Sequence, residues 1–139
     1  MFRVIIDPGV LVAALISDKG APRALLQAWI GGFFELLISP ALIWELEQVL
    51  HRDKFRRYVT IADVRSYIAW LRRFATLAPD VTPSLALSQD PDDDYLLALA
   101  VAEAADFLIS GDPHLTEIKN PPIRVLTARA FLNRLPINL

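Results

Sequence analysis

The acidic residues of this chain fall at chemically suggestive places. Asp7 directly follows the apolar run Phe2–Ile6, and Asp112 follows Phe107–Ser110 by a single glycine. Asp92, Asp93 and Asp94 stand in a row before a long apolar segment, with Asp90 just ahead of them. Glu45 and Glu47 border the two edges of an apolar stripe made by Leu42, Leu46, Val49 and Leu50. Carboxylates gathered in one cleft repel each other and hold their protons more tightly unless a cation neutralises them. The chain has no cysteine and only two histidines, so the donors on offer are almost all oxygen. Oxygen donors suit a hard divalent ion such as Mg2+ or Mn2+, which activates water and steadies phosphoryl charge in phosphodiester hydrolysis.

Such acids work together only if the fold converges them, and the hydropathy pattern supplies a way. Short apolar runs alternate with longer amphipathic ones, and prolines sit mostly at the junctions, as in βα units on a parallel sheet. Strands are expected at Phe2–Ile6, Phe33–Ser39, Ala75–Ala78, Phe107–Ser110 and Ile123–Leu126. Helices are expected at Gly9–Ile16, from Pro22 to Ile30, from a Ser39-Pro40 cap onward, and from a Thr60–Asp63 capping box to about Phe74. A very apolar helix should follow Asp94 and end near Ala105; a short helix should follow Gly111-Asp112-Pro113, and Thr127 should cap a last one. The segment Pro79–Leu87 reads as a connector. Ligands of an open parallel sheet bind outside the carboxyl ends of its strands, which is where Asp7 and Asp112 stand.

The plain alternative for each acid is structural. Asp92–Asp94 meet the positive end of a helix dipole, although three in a row exceed what capping requires. A solvated border charge accounts equally for Glu45 and Glu47, and helical periodicity does not choose between them.

Composition bounds the rest. A chain of 139 residues suits one domain, 1–139, and 54% hydrophobic with 22% charged residues excludes a disordered tail or a coiled coil. The longest unbroken apolar run, Tyr95–Ala102, is far short of the roughly 20 residues that cross a bilayer. Asp7 and Pro8 interrupt the apolar start and no basic cluster precedes it, so it reads as a first strand rather than a leader. The lack of cysteine suits a reducing compartment, and a cytoplasmic location is expected. A net charge of −2 neither demands nor excludes a polyanionic partner.

With their neighbours, these residues resemble the PIN-domain nucleases, and within them the VapC-like toxins of type II toxin–antitoxin systems. Val4-Ile5-Ile6-Asp7, followed by Val10-Leu11-Val12-Ala13-Ala14-Leu15, is similar to the family's opening strand with its first metal-binding acid. Ser39-Pro40-Ala41-Leu42-Ile43-Trp44-Glu45-Leu46 is similar to the second motif, and it is this resemblance that singles out Glu45. The most specific stretch runs from Asp90-Pro91-Asp92-Asp93-Asp94-Tyr95-Leu96-Leu97-Ala98 to Ile109-Ser110-Gly111-Asp112. By position, Asp94 matches the third family acid and Asp112 the fourth, with Asp93 as an auxiliary ligand.

The resemblance implies an α/β fold of three α/β/α layers, with a central parallel sheet of about five strands in the order 3-2-1-4-5 flanked by helices. It implies a ribonuclease in which Asp7, Glu45, Asp94 and Asp112 hold Mg2+ or Mn2+ while water attacks the RNA phosphate. It also implies a cognate antitoxin protein and a homodimer. Two departures stand out. The family's first acid is normally followed by a small hydroxyl residue and an asparagine, where this chain has Pro8 and Gly9. These losses would remove groups that orient neighbouring carboxylates and favour an alternative reading, a catalytically weakened module that binds RNA or a protein without cleavage. His114 stands where many relatives carry another carboxylate or an amide.

For the substrate, Arg52, Lys54, Arg56 and Arg57 crowd one segment and offer phosphate contacts to single-stranded RNA; an ordinary solvated face is the alternative. His114 is a lesser candidate for the same role. Trp44 falls off its helix's apolar stripe and suits a homodimer or antitoxin surface. A phosphoryl-acceptor aspartate, as in response regulators or haloacid-dehalogenase-like phosphatases, fits poorly, because Gly9 stands where the phosphatases need a second aspartate.

Overall fold

A computed structural model describes residues 1–82 and 94–137. Among these residues, five strands form one parallel sheet in the order β3-β2-β1-β4-β5, with helices on both faces, a three-layer α/β/α arrangement. The strands are β1 (Phe2–Ile6), β2 (Phe34–Ile38), β3 (Thr76–Leu77), β4 (Phe107–Ile109) and β5 (Arg124–Leu126). The helices are α1 (Pro8–Ile16), α2 (Ala21–Ile30), α3 (Pro40–Leu50), α4 (Ile61–Phe74), α5 (Asp94–Ala102), α6 (Pro113–Thr116) and α7 (Ala128–Leu132).

The central strand explains the arrangement. Val4, Ile5 and Ile6 are all buried, as expected of a parallel strand covered on both faces. β1 pairs with β2 through Phe2↔Phe34 to Ile5↔Leu37, and with β4 through Val4↔Phe107 to Ile6↔Ile109. At the amino end, Phe2, Phe107, Phe34 and Phe131 meet at ring-centroid distances of 5.1–5.9 Å, largely edge to face. Arg3 lies at the same end. Its Nε is 3.2 Å from Glu35, its Nη2 is 3.9 Å from Glu103, and its backbone N–H donates to Asp106.

At the carboxyl end, chain direction reverses into helices whose starts are capped. Asp7 caps α1, Ser39 caps α3 and Asp112 caps α6, each through a side-chain oxygen that accepts a backbone N–H. Pro8, Pro40 and Pro113 each open their helix, where the missing N–H costs no bond. Asp80 reinforces α3 by accepting from Ala41 N–H at 2.9 Å. The Thr60–Asp63 capping box forms in both directions, at 2.9 and 3.0 Å.

The structure adjusts several expected boundaries. α1 begins at Pro8 rather than Gly9, α2 begins one residue ahead of Pro22, β1 has its expected bounds, and the other four strands are trimmed by one or two residues. The larger correction is α5, which ends at Ala102 and not near Ala105. Ala104 takes a left-handed φ of +50°, and Ala105 N–H returns to the Ala100 carbonyl at 2.9 Å, closing the helix in the manner usually assigned to glycine. Most of the Pro79–Leu87 connector and the acids Asp90, Asp92 and Asp93 lie outside the described residues.

Candidate active site

Asp7 continues the β1–β4 pairing by one bond: its backbone N–H donates to the Ile109 carbonyl at 2.9 Å. That bond sets Asp7 beside Ser110, the residue after β4. The Ser110 hydroxyl donates to Asp7 Oδ2 at 2.7 Å and accepts from Asp112 N–H at 3.0 Å. One fully buried hydroxyl therefore fastens the two strand-end acids to each other's turns. Asp7 Oδ1 accepts from Gly9 N–H, and Asp112 Oδ1 accepts from His114 N–H, both at 2.9 Å.

Burial is the largest influence on Asp7 and pushes its carboxyl above its ordinary value. The hydrogen bonds from Gly9 and Ser110 pull it back, and the nearby Asp112 charge adds to the rise. Among the described residues, no lysine or arginine pairs with either acid. The two border an open cleft of about 460 Å³ lined also by Gly9, Val10, Ala13, Pro22 and Gly111.

The other two acids come from helices. Asp94 begins α5 and is buried, with 4% of its surface exposed. Glu45 lies in the second turn of α3 and accepts at Oε2 from the hydroxyl of Tyr95, at 2.5 Å. The structure thus separates the two glutamates that periodicity leaves equivalent. Glu45 faces the start of α5, whereas Glu47 is 3.5 Å from Arg72 on α4.

Among the described residues, no three acidic or histidine side chains are grouped closely enough to hold an ion together. The donor chemistry nonetheless fits a hard divalent cation. Asp7 and Asp112 form a carboxylate pair that, among the described residues, no lysine or arginine joins, burial and then the Asp112 charge raise Asp7, and the carboxylate and hydroxyl oxygens there are hard donors, with the His114 ring nitrogen 3.9 Å from Asp112. Asp93 lies outside the described residues.

The cations are placed elsewhere. α3 starts at the carboxyl edge of the sheet and runs for 11 residues, so the segment after it begins about 16 Å along the helix from Pro40. Arg52, Lys54 and Arg57 are exposed there, around a 3-10 turn at Asp53–Phe55. Arg56 turns inward and donates to the Leu50 carbonyl at the end of α3. His114 is exposed, with Nδ1 3.9 Å from Asp112 Oδ1.

Two surface features are apolar. Trp44 is 65% exposed on α3. Between α2 and α4, Trp29, Ile30, Trp70 and Phe74 line a hollow of about 370 Å³, which shares Ile30 and Trp70 with a neighbouring one of about 470 Å³.

The PIN-domain profile matches residues 3–114, from β1 through the turn that carries Asp112. The chain belongs to the PIN-domain family. Solved structures agree with the fold of this PIN domain at low identity. PAE2754 from Pyrobaculum aerophilum superposes with a TM-score of 0.62 and 14% identity, covering 96% of this chain and 94% of that one. VapBC2 from Rickettsia felis, bound to a DNA fragment from its promoter, gives 0.60 and 14%, covering 89% and 96%. FitAcB from Neisseria gonorrhoeae gives 0.58 and 14%, covering 91% and 98%. No curated relative matches the chain at a significant level.

Ser110 and Tyr95 are the site-bearing residues that sequence reasoning passed over. Ser110 reads as the last residue of a strand, and nothing local marks a hydroxyl that bridges two turns. Tyr95 reads as part of the apolar face of α5, and its partner lies 50 residues away.

Proposed function

We propose that this chain is a metal-dependent endoribonuclease and the toxin of a toxin–antitoxin pair. Members of its family are nucleases, and the observation that carries the reading is the Asp7–Ser110–Asp112 bridge at the carboxyl edge of the sheet. Asp7, Asp112, Asp94 and Glu45 are the residues proposed to hold Mg2+ or Mn2+, with Asp93 as an auxiliary donor. The ion, when bound, supplies positive charge for the phosphate oxygens and activates water. The chain's own residues prepare for that. Gly9 N–H and the Ser110 hydroxyl hold the two oxygens of Asp7, and His114 N–H fixes one oxygen of Asp112. Burial keeps bulk water from dispersing the field of Asp94.

The family hydroxyl missing at Pro8 has a substitute in this site, because Ser110 brings one to Asp7 from the neighbouring strand. This favours an active enzyme over a module that only binds. RNA is proposed to reach the cleft along the exposed Arg52, Lys54 and Arg57, with His114 at its rim. VapBC2 and FitAcB are the structural neighbours behind the partner proposal; an antitoxin segment would occupy the apolar groove between α2 and α4, and a second copy would cover the Trp44 face. Co-expression with the adjacent reading frames, followed by mass measurement of the purified complex, tests both partners. A lone monomer would remove them.

The deciding experiment incubates purified protein and its Asp94→Asn variant with end-labelled RNA in chelator, Mg2+ and Mn2+. Cleavage is expected in metal alone and is expected to disappear in the variant. RNA binding without cleavage in either metal would overturn the enzyme reading in favour of the binding module.

A further inference from the structure

We propose that Tyr95 is a positioning residue: its hydroxyl holds the Glu45 carboxylate in the orientation that α3 offers to α5, so that this acid is set before an ion arrives. The inference rests on the metal-holding role proposed above for Glu45.

Three observations carry it. The first is the bond itself. An O–H···O separation of 2.5 Å is in the short range of hydroxyl–carboxylate bonds, which are roughly twice as strong as neutral ones. The second is the rigidity of the donor. Tyr95 is half-buried and its ring packs against the hydrophobic core, so its hydroxyl is delivered at a fixed height above the first turn of α5. Glutamate, in contrast, has three side-chain torsions to order, and Glu45 is only half-buried on its own helix. The third is adjacency. Tyr95 directly follows Asp94, so one helical turn supplies both a buried acid and the group that orients its counterpart from α3.

The bond engages one carboxylate oxygen, and an ionised carboxylate has about four lone-pair sites. Glu47, one turn-edge away, has a different tie: its partner is Arg72, whose side chain is 62% exposed. The positive charge of that partner competes with a cation for Glu47, whereas what Tyr95 brings to Glu45 is a neutral hydroxyl.

The test is a Mn2+ titration, reading free Mn2+ by electron paramagnetic resonance, on the full chain and on Tyr95→Phe, Glu45→Ala and the double variant. Thermal midpoints are recorded alongside. Tyr95→Phe keeps the ring and removes only the hydroxyl. It is expected to hold its midpoint and to weaken Mn2+ binding by about 10-fold, the low end for loss of a group that orients a metal ligand. Glu45→Ala is expected to weaken binding at least as much, and the double variant to be no weaker than Glu45→Ala alone.

Equal Mn2+ affinity in Tyr95→Phe and the parent would overturn the proposal, as would losses that add in the double variant. A Tyr95→Phe chain that unfolds would overturn it in favour of a packing role. A parent that binds no Mn2+ would remove the metal reading itself, and the role of Tyr95 with it; parental binding with an unaffected Tyr95→Phe would remove the role of Tyr95 alone.

Discussion

The two ends of the sheet treat charge in opposite ways. At the amino end, Arg3 sits between Glu35 and Glu103, its backbone is tied to Asp106, and four phenylalanines fill the space beneath. At the carboxyl end, Asp7 and Asp112 face each other with no arginine or lysine paired to either, among the described residues. The same strands run through both ends. At the amino end the acids share an arginine over a buried aromatic cluster, and the carboxyl end keeps like charges in an open cleft. Like charges held together cost stability unless a cation joins them. One end of the sheet therefore maintains the fold, and the other uses that stability to keep acids in place.

This contrast is breakable from the amino end first. Phe131 is fully buried and packs against Phe2, Phe34 and Phe107. Phe131→Ala should destabilise the protein by about 3–5 kcal/mol, read from denaturant unfolding. Mn2+ affinity of the remaining folded fraction should be unchanged, since no acid of the cleft touches this cluster. A parallel loss of metal affinity at full folding would mean that the two ends are one mechanical unit.

From the other end, Asp7→Asn should lower metal-dependent cleavage by about 100- to 1,000-fold, a loss of roughly 3–4 kcal/mol in transition-state stabilisation. Its effect on stability should have the opposite sign. The folded carboxyl of Asp7 is raised above its ordinary value, so folding favours the protonated form, and the charged form costs stability as the pH rises through the raised value. At neutral pH in chelator, Asp7→Asn should thus melt at a higher temperature than the parent, and the difference should shrink as the pH falls toward the ordinary carboxyl range. A lower melting point for the variant at neutral pH would mean that the Gly9 and Ser110 hydrogen bonds outweigh burial.

How much of this was legible in the sequence follows from whether a residue's neighbours are local. Asp7 and Asp112 were legible because a strand end fixes where its next residue stands, and the caps at Ser39, Thr60 and Thr127 were legible because each bond spans three residues. Glu45 was legible only by resemblance. Periodicity placed it on a border with Glu47, and what separates them is contact with α5 on one side and α4 on the other. The end of α5 was misplaced because an alanine, not a glycine, takes the left-handed position. Composition grouped Arg56 with three other cations, yet its side chain closes the end of α3, a common use of arginine at a helix C-terminus that a charge count does not register.

The finest comparison is between two serines at the ends of the two strands that flank β1. Ser39 follows β2 and Ser110 follows β4, and both are buried. Ser39 Oγ accepts from Leu42 N–H at 3.3 Å and caps α3. Ser110 Oγ accepts from Asp112 N–H but also donates to Asp7. Ser39→Ala should cost about 1 kcal/mol of stability as a lost cap and leave Mn2+ affinity where it was. Ser110→Ala leaves the Asp112 N–H without its partner, a comparable cost of about 1–3 kcal/mol, and also frees Asp7 Oδ2. It should therefore weaken Mn2+ binding by about 10-fold, a change that the loss of a cap alone does not produce. If the two alanine variants lose stability alike and bind Mn2+ alike, the bridge at Ser110 is only a turn-forming bond. A selective loss at Ser110 would place the organising hydroxyl of the cleft on β4, one strand away from the position left by Pro8.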